Sequence, residues 1–358
     1  MWSIVLFAAT LAAPRIELYT MGAGDDLFSA FGHAAICVLD EQSPRGRCYN
    51  YGTADFRTPL PLTWDFIRGR ARFWVSVADL PAMLWLYRQE DRTVYRQRLA
   101  LSDEQAARLA AALDASTAEA VKYYRYHHFN DNCTTRIRDA IDAATGGALS
   151  AERAARGRSF REWARRGFAG HWPLLAVTEL VLGRSADRAT DSWTAMFLPS
   201  ELRDEVARRY RAPPEIVYQR RAPLEAGATW LGQLAFALGG AVLALLIFAG
   251  ARLGRACWRA SLAVASLVLG VTALVLDALA ILSTFPELVR NEALLAFWPS
   301  DLAICVLPRH WLRRYAQARL IVLALIVLGH LAGLTQPLSP LLFAALPLAA
   351  ALATARAT

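Results

Sequence analysis

The hydrophobic pattern changes character once along the chain. From residue 14 to about 225, apolar positions come in short clusters between polar ones; beyond 226 they merge into long runs at 228–251, 260–284, 293–307, 320–334 and 340–354. A helix crossing a bilayer core uses about 20 residues. The second half, 226–358, therefore predicts an all-α transmembrane bundle of about five helices. The first half reads as a folded α+β domain. Strands are expected at 34–39 and 48–51 around a turn containing Ser43, Pro44 and Gly46, and again at 73–77 and 93–99. Helices are expected at 60–70, at 106–115 behind the capping sequence Ser102-Asp103-Glu104-Gln105, at 134–144 before Gly146-Gly147, and at 152–166.

Residues 1–13 form a separate apolar stretch ending in Leu11-Ala12-Ala13, too short to span easily and shaped like a signal peptide or an N-terminal anchor. Either reading exports the domain that follows. The gaps between runs agree with this. Arg252, Arg255 and Arg259 fill the first gap, and Arg309, Arg313, Arg314 and Arg319 the third, whereas the second and fourth hold one arginine between them. Arginine-rich loops stay cytoplasmic. The expected arrangement is a multi-pass protein of a bacterial inner membrane, with its N-terminal domain on the periplasmic side and its C-terminus inside.

Composition sharpens the picture. Of 358 residues, 55% are hydrophobic and the mean hydropathy is +0.26, which excludes a cytosolic enzyme and a disordered chain. The net charge of +8 rests almost wholly on arginine, Lys122 being the single lysine. No zinc-ligand spacing, basic arm or aromatic RNA motif accompanies it. The expected partner is a membrane surface, not nucleic acid. Of the five cysteines, Cys257 and Cys305 lie in the apolar half. Cys37 and Cys48 flank the turn and are either a cross-strand disulfide or two buried thiols.

Cys133 stands apart. It sits at a loop-to-helix junction in Tyr126-His127-His128-Phe129-Asn130-Asp131-Asn132-Cys133-Thr134-Thr135. A thiol at a helix N-terminus is favoured as thiolate, and the N–H groups there can hold an oxyanion. His33, after Gly32 at the entrance of a strand, can take up and return a proton. His127 and His128 compete for that role, but their closeness in sequence to Cys133 favours a rim position. No metal or other cofactor is implied. Asp277, Asp301 and His330 lie in or near apolar runs, where an ionisable group is either functional or a packing pair.

Three segments carry a family resemblance: Gly24-Asp25-Asp26-Leu27-Phe28-Ser29-Ala30-Phe31-Gly32-His33, Asn50-Tyr51-Gly52-Thr53-Ala54-Asp55-Phe56, and Asn130-Asp131-Asn132-Cys133-Thr134-Thr135-Arg136. They resemble the periplasmic domain of Lnb-type bacterial lipoprotein N-acyltransferases, which look like circularly permuted papain-like (NlpC-like) folds with histidine before cysteine. The resemblance implies Cys133 as nucleophile and His33 as base. A third group should hold the imidazole. If Cys37 opposes Cys48, Asn50 shares the sheet face of His33 and is the first choice, with Asp55 second. Ser29 and Asn132 support the site or serve as turn and cap. Arg136, with Arg138, binds lipid phosphate or pairs with nearby aspartates. The implied activity moves an acyl chain from a phospholipid or a diacylated lipoprotein to a lipoprotein N-terminal amine through a thioester. The alternatives are a papain-like hydrolase of the cell envelope, a peptidase or lipase, and a non-enzymatic envelope scaffold.

Overall fold

A computed structural model describes residues 13–26, 29–40, 43–224 and 227–357. The expected signal or anchor, 1–13, lies outside these but for its last residue. The chain divides into two compact units, one of residues 1–66, 70–157 and 190–224, the other of 67–69, 158–189 and 225–358. Helices α5 (Phe160–Gly167) and α6 (Trp172–Val181) therefore belong to the unit that holds the long apolar runs.

The first unit is built on a seven-stranded antiparallel sheet in the order β6-β4-β3-β2-β1-β5-β9. Its strands are β1 (Arg15–Met21), β2 (His33–Asp40), β3 (Ser43–Thr53), β4 (Arg72–Asp79), β5 (Val94–Arg98), β6 (Tyr123–Arg125) and β9 (Glu215–Tyr218). The helices are α1 (Pro59–Ile67), α2 (Leu80–Gln89), α3 (Asp103–Ala115), α4 (Cys133–Ala144), the short α7 (Ser192–Ala195) and α8 (Pro199–Tyr210). A separate two-stranded ribbon pairs β7 (Ala155–Ser159) with β8 (Ala189–Asp191).

Strand alternation sorts the side chains into two layers. Ile16, Leu18, Ala34, Ile36, Val38 and Tyr49 face one way, into a core with Leu109 and Leu113 of α3, Ile137 and Ile141 of α4 and Leu202 of α8. Tyr19, Met21, Ala35, Cys37 and Cys48 face the other way and are covered by Met83 and Tyr87 of α2. Cys37 opposes Cys48 and the two form a disulfide. Residues 152–166 are not one helix: the first part is strand β7, and α5 starts only where Ser159 and Glu162 form a capping box.

In the second unit, α9 (Leu231–Leu253), α10 (Arg255–Leu282) and α13 (Arg309–Leu331) are long and apolar enough to cross a membrane. At 1.5 Å per residue the 23 residues of α9 extend about 34 Å, enough for a hydrocarbon core of about 30 Å. The last run gives the shorter α14 (Leu341–Ala357), with Pro347 inside it. The third run corrects the expectation of five membrane helices. It folds as α11 (Pro286–Val289) just before it, then α12 (Ala293–Ala296) and a 3₁₀ turn at Pro299–Ala303. Pro299 steers Trp298 away from helical backbone and Pro308 closes the segment. α13 in turn starts well before residue 320, so its first half contains the arginines assigned to a loop.

This irregular segment returns alongside α10 with its carbonyls satisfied by side chains. The Ser266 hydroxyl donates to the Asp301 carbonyl at 2.8 Å and to that of Leu302 at 2.6 Å. Arg259 donates to the carbonyls of Cys305 and Leu307. Arg319 and Asp301, both fully buried, form a two-pronged pair at 3.1 and 3.0 Å, and Tyr315 donates to the same carboxylate at 2.6 Å. Among the acidic residues noted in the runs, Asp301 is thus a packing partner. Removing one member of such a pair strands a buried charge, at a cost of about 3–5 kcal/mol, whereas replacing both with apolar groups is near neutral. Arg319→Met should therefore lower the unfolding midpoint of the detergent-solubilised protein strongly. Adding Asp301→Leu should recover most of the loss.

Candidate active site

The site begins with the cap of α4. Asn132 accepts from the N–H groups of Thr134 and Thr135, each at 2.9 Å, while the Thr135 hydroxyl accepts from the Asn132 N–H at 2.7 Å. The Asn132 amide also donates to the carbonyls of His128 and Phe197. Every polar atom of that side chain is therefore engaged in holding the loop on the helix, and Asn132 is a cap. Cys133 occupies the first position of α4, with its own N–H outside the pair that Asn132 takes. A helix N-terminus carries partial positive charge there.

Gly52, at φ +85°, lies directly against the cysteine. A Cβ at this position would stand 3.3 Å from the Cys133 Cβ and 3.9 Å from its nitrogen, so a side chain would close the approach to the sulfur. Gly32 makes the second close fit. At φ +84° its missing side chain avoids the Met21 carbonyl, which a Cβ would meet at 2.5 Å. The turn places His33 at the first position of β2, opposite Met21.

The structure brings His33 and Cys133 together. Burial pushes the thiol pKa up, but the charge of His33, its hydrogen bond, the Thr134 hydroxyl and the Ala34 N–H outweigh burial, and the value falls to about 7. The Thr134 oxygen lies 3.7 Å from the sulfur. A thiolate available near neutral pH beside a histidine is what a thiol nucleophile needs.

The remaining residues fall out differently. Asn50 shares the sheet face of His33, but its amide donates to the Cys48 carbonyl at 3.1 Å. Asp55 is bound to Arg57 in an exposed pair at 2.8 Å. Ser29 donates to the Asp26 carboxylate at 2.6 Å, and its carbonyl receives the Gly32 N–H, so it supports the turn ahead of His33. Arg136 grips Asp131 at 2.5 and 2.7 Å and lies 4.1 Å over the Tyr124 ring, which fixes the loop before the cysteine. Arg138 pairs with Asp139 and stacks on Trp193. His127 belongs to the same loop, its Nδ1 accepting the Phe129 N–H. One residue was not anticipated. Tyr87 of α2 stacks on His33, with ring centroids 6.1 Å apart, and burial together with the neighbouring thiolate pushes its pKa up. In sequence it is one more apolar position, in a helix whose placement depends on the sheet.

Residues 7–166 match the family model described as the Lnb N-terminal periplasmic domain. No curated protein and no solved structure matches the chain.

In a Cys257→Ala, Cys305→Ala background, the iodoacetamide reactivity of Cys133 should rise with pH through about 7 and level off above it. His33→Ala removes both the charge and the hydrogen bond that lower the pKa most, leaving burial opposed only by the Thr134 hydroxyl and the Ala34 N–H, so the midpoint should move up. The alkylation rate at pH 7 should then drop at least about tenfold, as each unit of pKa is a factor of ten in thiolate.

Proposed function

The N-terminal domain belongs to the Lnb-type periplasmic family, and from that premise we propose that this membrane-embedded chain is a thiol acyltransferase acting on lipoproteins at the outer face of the inner membrane. The observation that carries the reading is the contact of His33 with a thiol whose pKa is held near 7 inside an apolar core. The Cys133 thiolate attacks the carbonyl carbon of a lipid acyl ester, and the oxyanion forms beside the Cys133 N–H. The carbon–oxygen bond breaks, the alcohol leaves with the His33 proton, and the acyl chain remains as a thioester. The α-amine of a lipoprotein N-terminal cysteine then attacks the thioester carbonyl. His33 accepts the amine proton, the amide forms, and the thiolate is released.

Membrane placement follows the arginines. Arg252 lies at the C-terminal end of α9, and Arg255, Arg309, Arg313 and Arg314 at the N-terminal ends of α10 and α13, and we assign those three ends to the cytoplasm. The irregular segment counts as a crossing, since non-helical backbone at membrane depth is tolerated where protein buries it. A lipid substrate explains the helices: each methylene costs about 0.8 kcal/mol to bring into water, so the donor is best met at the bilayer. The same dyad with water as acceptor would be a hydrolase. The test is the intact mass of a lipoprotein N-terminal peptide from a host lacking N-acylation. The wild-type chain should add one N-linked acyl chain; Cys133→Ala and His33→Ala should not. Loss of an ester-linked chain with no N-acyl gain would replace transfer by hydrolysis.

A further inference from the structure

The edge of the sheet nearest the site exposes side chains that a water-facing edge does not normally combine. In β4 and β6, Arg72 lies opposite Arg125 and Trp74 opposite Tyr123. Cross-strand partners share a face, so two arginines stand side by side next to two large aromatics. Like charges placed opposite each other destabilise a sheet, and among the described residues neither arginine has an acidic partner. Arg72 and Lys122 both lie over the Tyr123 ring, at 4.6 and 5.0 Å. The nearby acids are already engaged, Asp55 with Arg57 and Glu119 with Lys122.

The patch is apolar as well as basic. Phe56, Val121 and Tyr123 are exposed, and an open surface depression of about 580 Å³ lies between Ala54, Asp55, Phe56, Arg57 and Trp74. It begins two residues along from Gly52, where the β3–β4 register shifts, as bulges beside functional sites do. An aromatic wall connects it to the cysteine: Phe56 packs on Phe73 and Phe73 on Tyr126, whose ring borders Gly52. Exposed aromatics beside unpaired basic groups match the headgroup zone of an anionic bilayer, with rings at the interface and cations on phosphates.

We propose that this β4–β6 face, centred on Trp74 and Tyr123 and flanked by Arg72 and Arg125, is the surface on which the domain docks onto anionic phospholipid. The surface rests on the chain being membrane-embedded and not on the acyl-transfer chemistry.

The test uses the full chain in nanodiscs, with Cys133, Cys257 and Cys305 replaced by alanine and an NBD fluorophore on Val121→Cys. A control carries the label on Glu104→Cys, in α3 on the other side of the sheet. In discs rich in phosphatidylglycerol, doxyl lipid should quench the label at 121 at least about twofold more than that at 104, and high salt should weaken the difference, as expected for charges near a surface. Arg72→Gln with Arg125→Gln should abolish it, and the salt series on the otherwise unaltered chain reads the same electrostatics without those substitutions. Equal quenching at both positions, or a difference that neither salt nor the double substitution changes, overturns the proposal. Failure here would leave the lipoprotein mass test unaffected.

Discussion

The chemistry proposed for this protein depends on keeping an anion-competent sulfur inside an apolar core. Burial alone would hold Cys133 as an inert thiol. The opposing contributions come from His33, the Thr134 hydroxyl, the Ala34 N–H and the N-terminus of α4. All of these act only where β2, β3 and α4 meet closely. Gly52 and Gly32 make that approach possible, one against the cysteine and one against the Met21 carbonyl. Asn132 and the Arg136–Asp131 pair hold the loop that delivers the sulfur.

The second unit faces the same problem in apolar surroundings, on a different scale. A non-helical return has to be packed beside α10 with its backbone satisfied. Side chains of Ser266 and Arg259 answer the free carbonyls, and the buried Arg319–Asp301 pair pins the segment from the other side. Polar groups there act as ties because hydrocarbon offers them no alternative partner. The feature lies in the half of the chain beyond the matched family region.

Much of this was legible in the sequence, for physical reasons. The sequence offered Cys37 and Cys48 as facing each other or as two buried thiols, and they do face each other, although Pro44 and Gly46, read as turn residues, lie inside β3; the polar residues before Cys133 announced a helix N-terminus. The Cys133–His33 contact followed from the family resemblance and the strand entrance at Gly32. Less legible were contacts set by tertiary packing. Tyr87 reads as a core residue until α2 is laid across the sheet. Asn50 shares the face of His33, yet a neighbouring carbonyl takes its amide, which strand alternation does not reveal. Hydropathy likewise scores residues 293–307 as a membrane helix, although Pro299 and Pro308 forbid a continuous one. Residues 152–166 read as one helix, but β7 occupies the first part and the capping box at Ser159 delays the helix start.

The most direct test of the account is to incubate the purified full-length protein with a diacylated lipopeptide and no amine acceptor, then measure the mass of the peptide containing Cys133. A hydroxylamine-sensitive acyl adduct on Cys133, absent in His33→Ala, is the predicted result. A correctly folded protein whose Cys133 stays unmodified while substrate is turned over would contradict it.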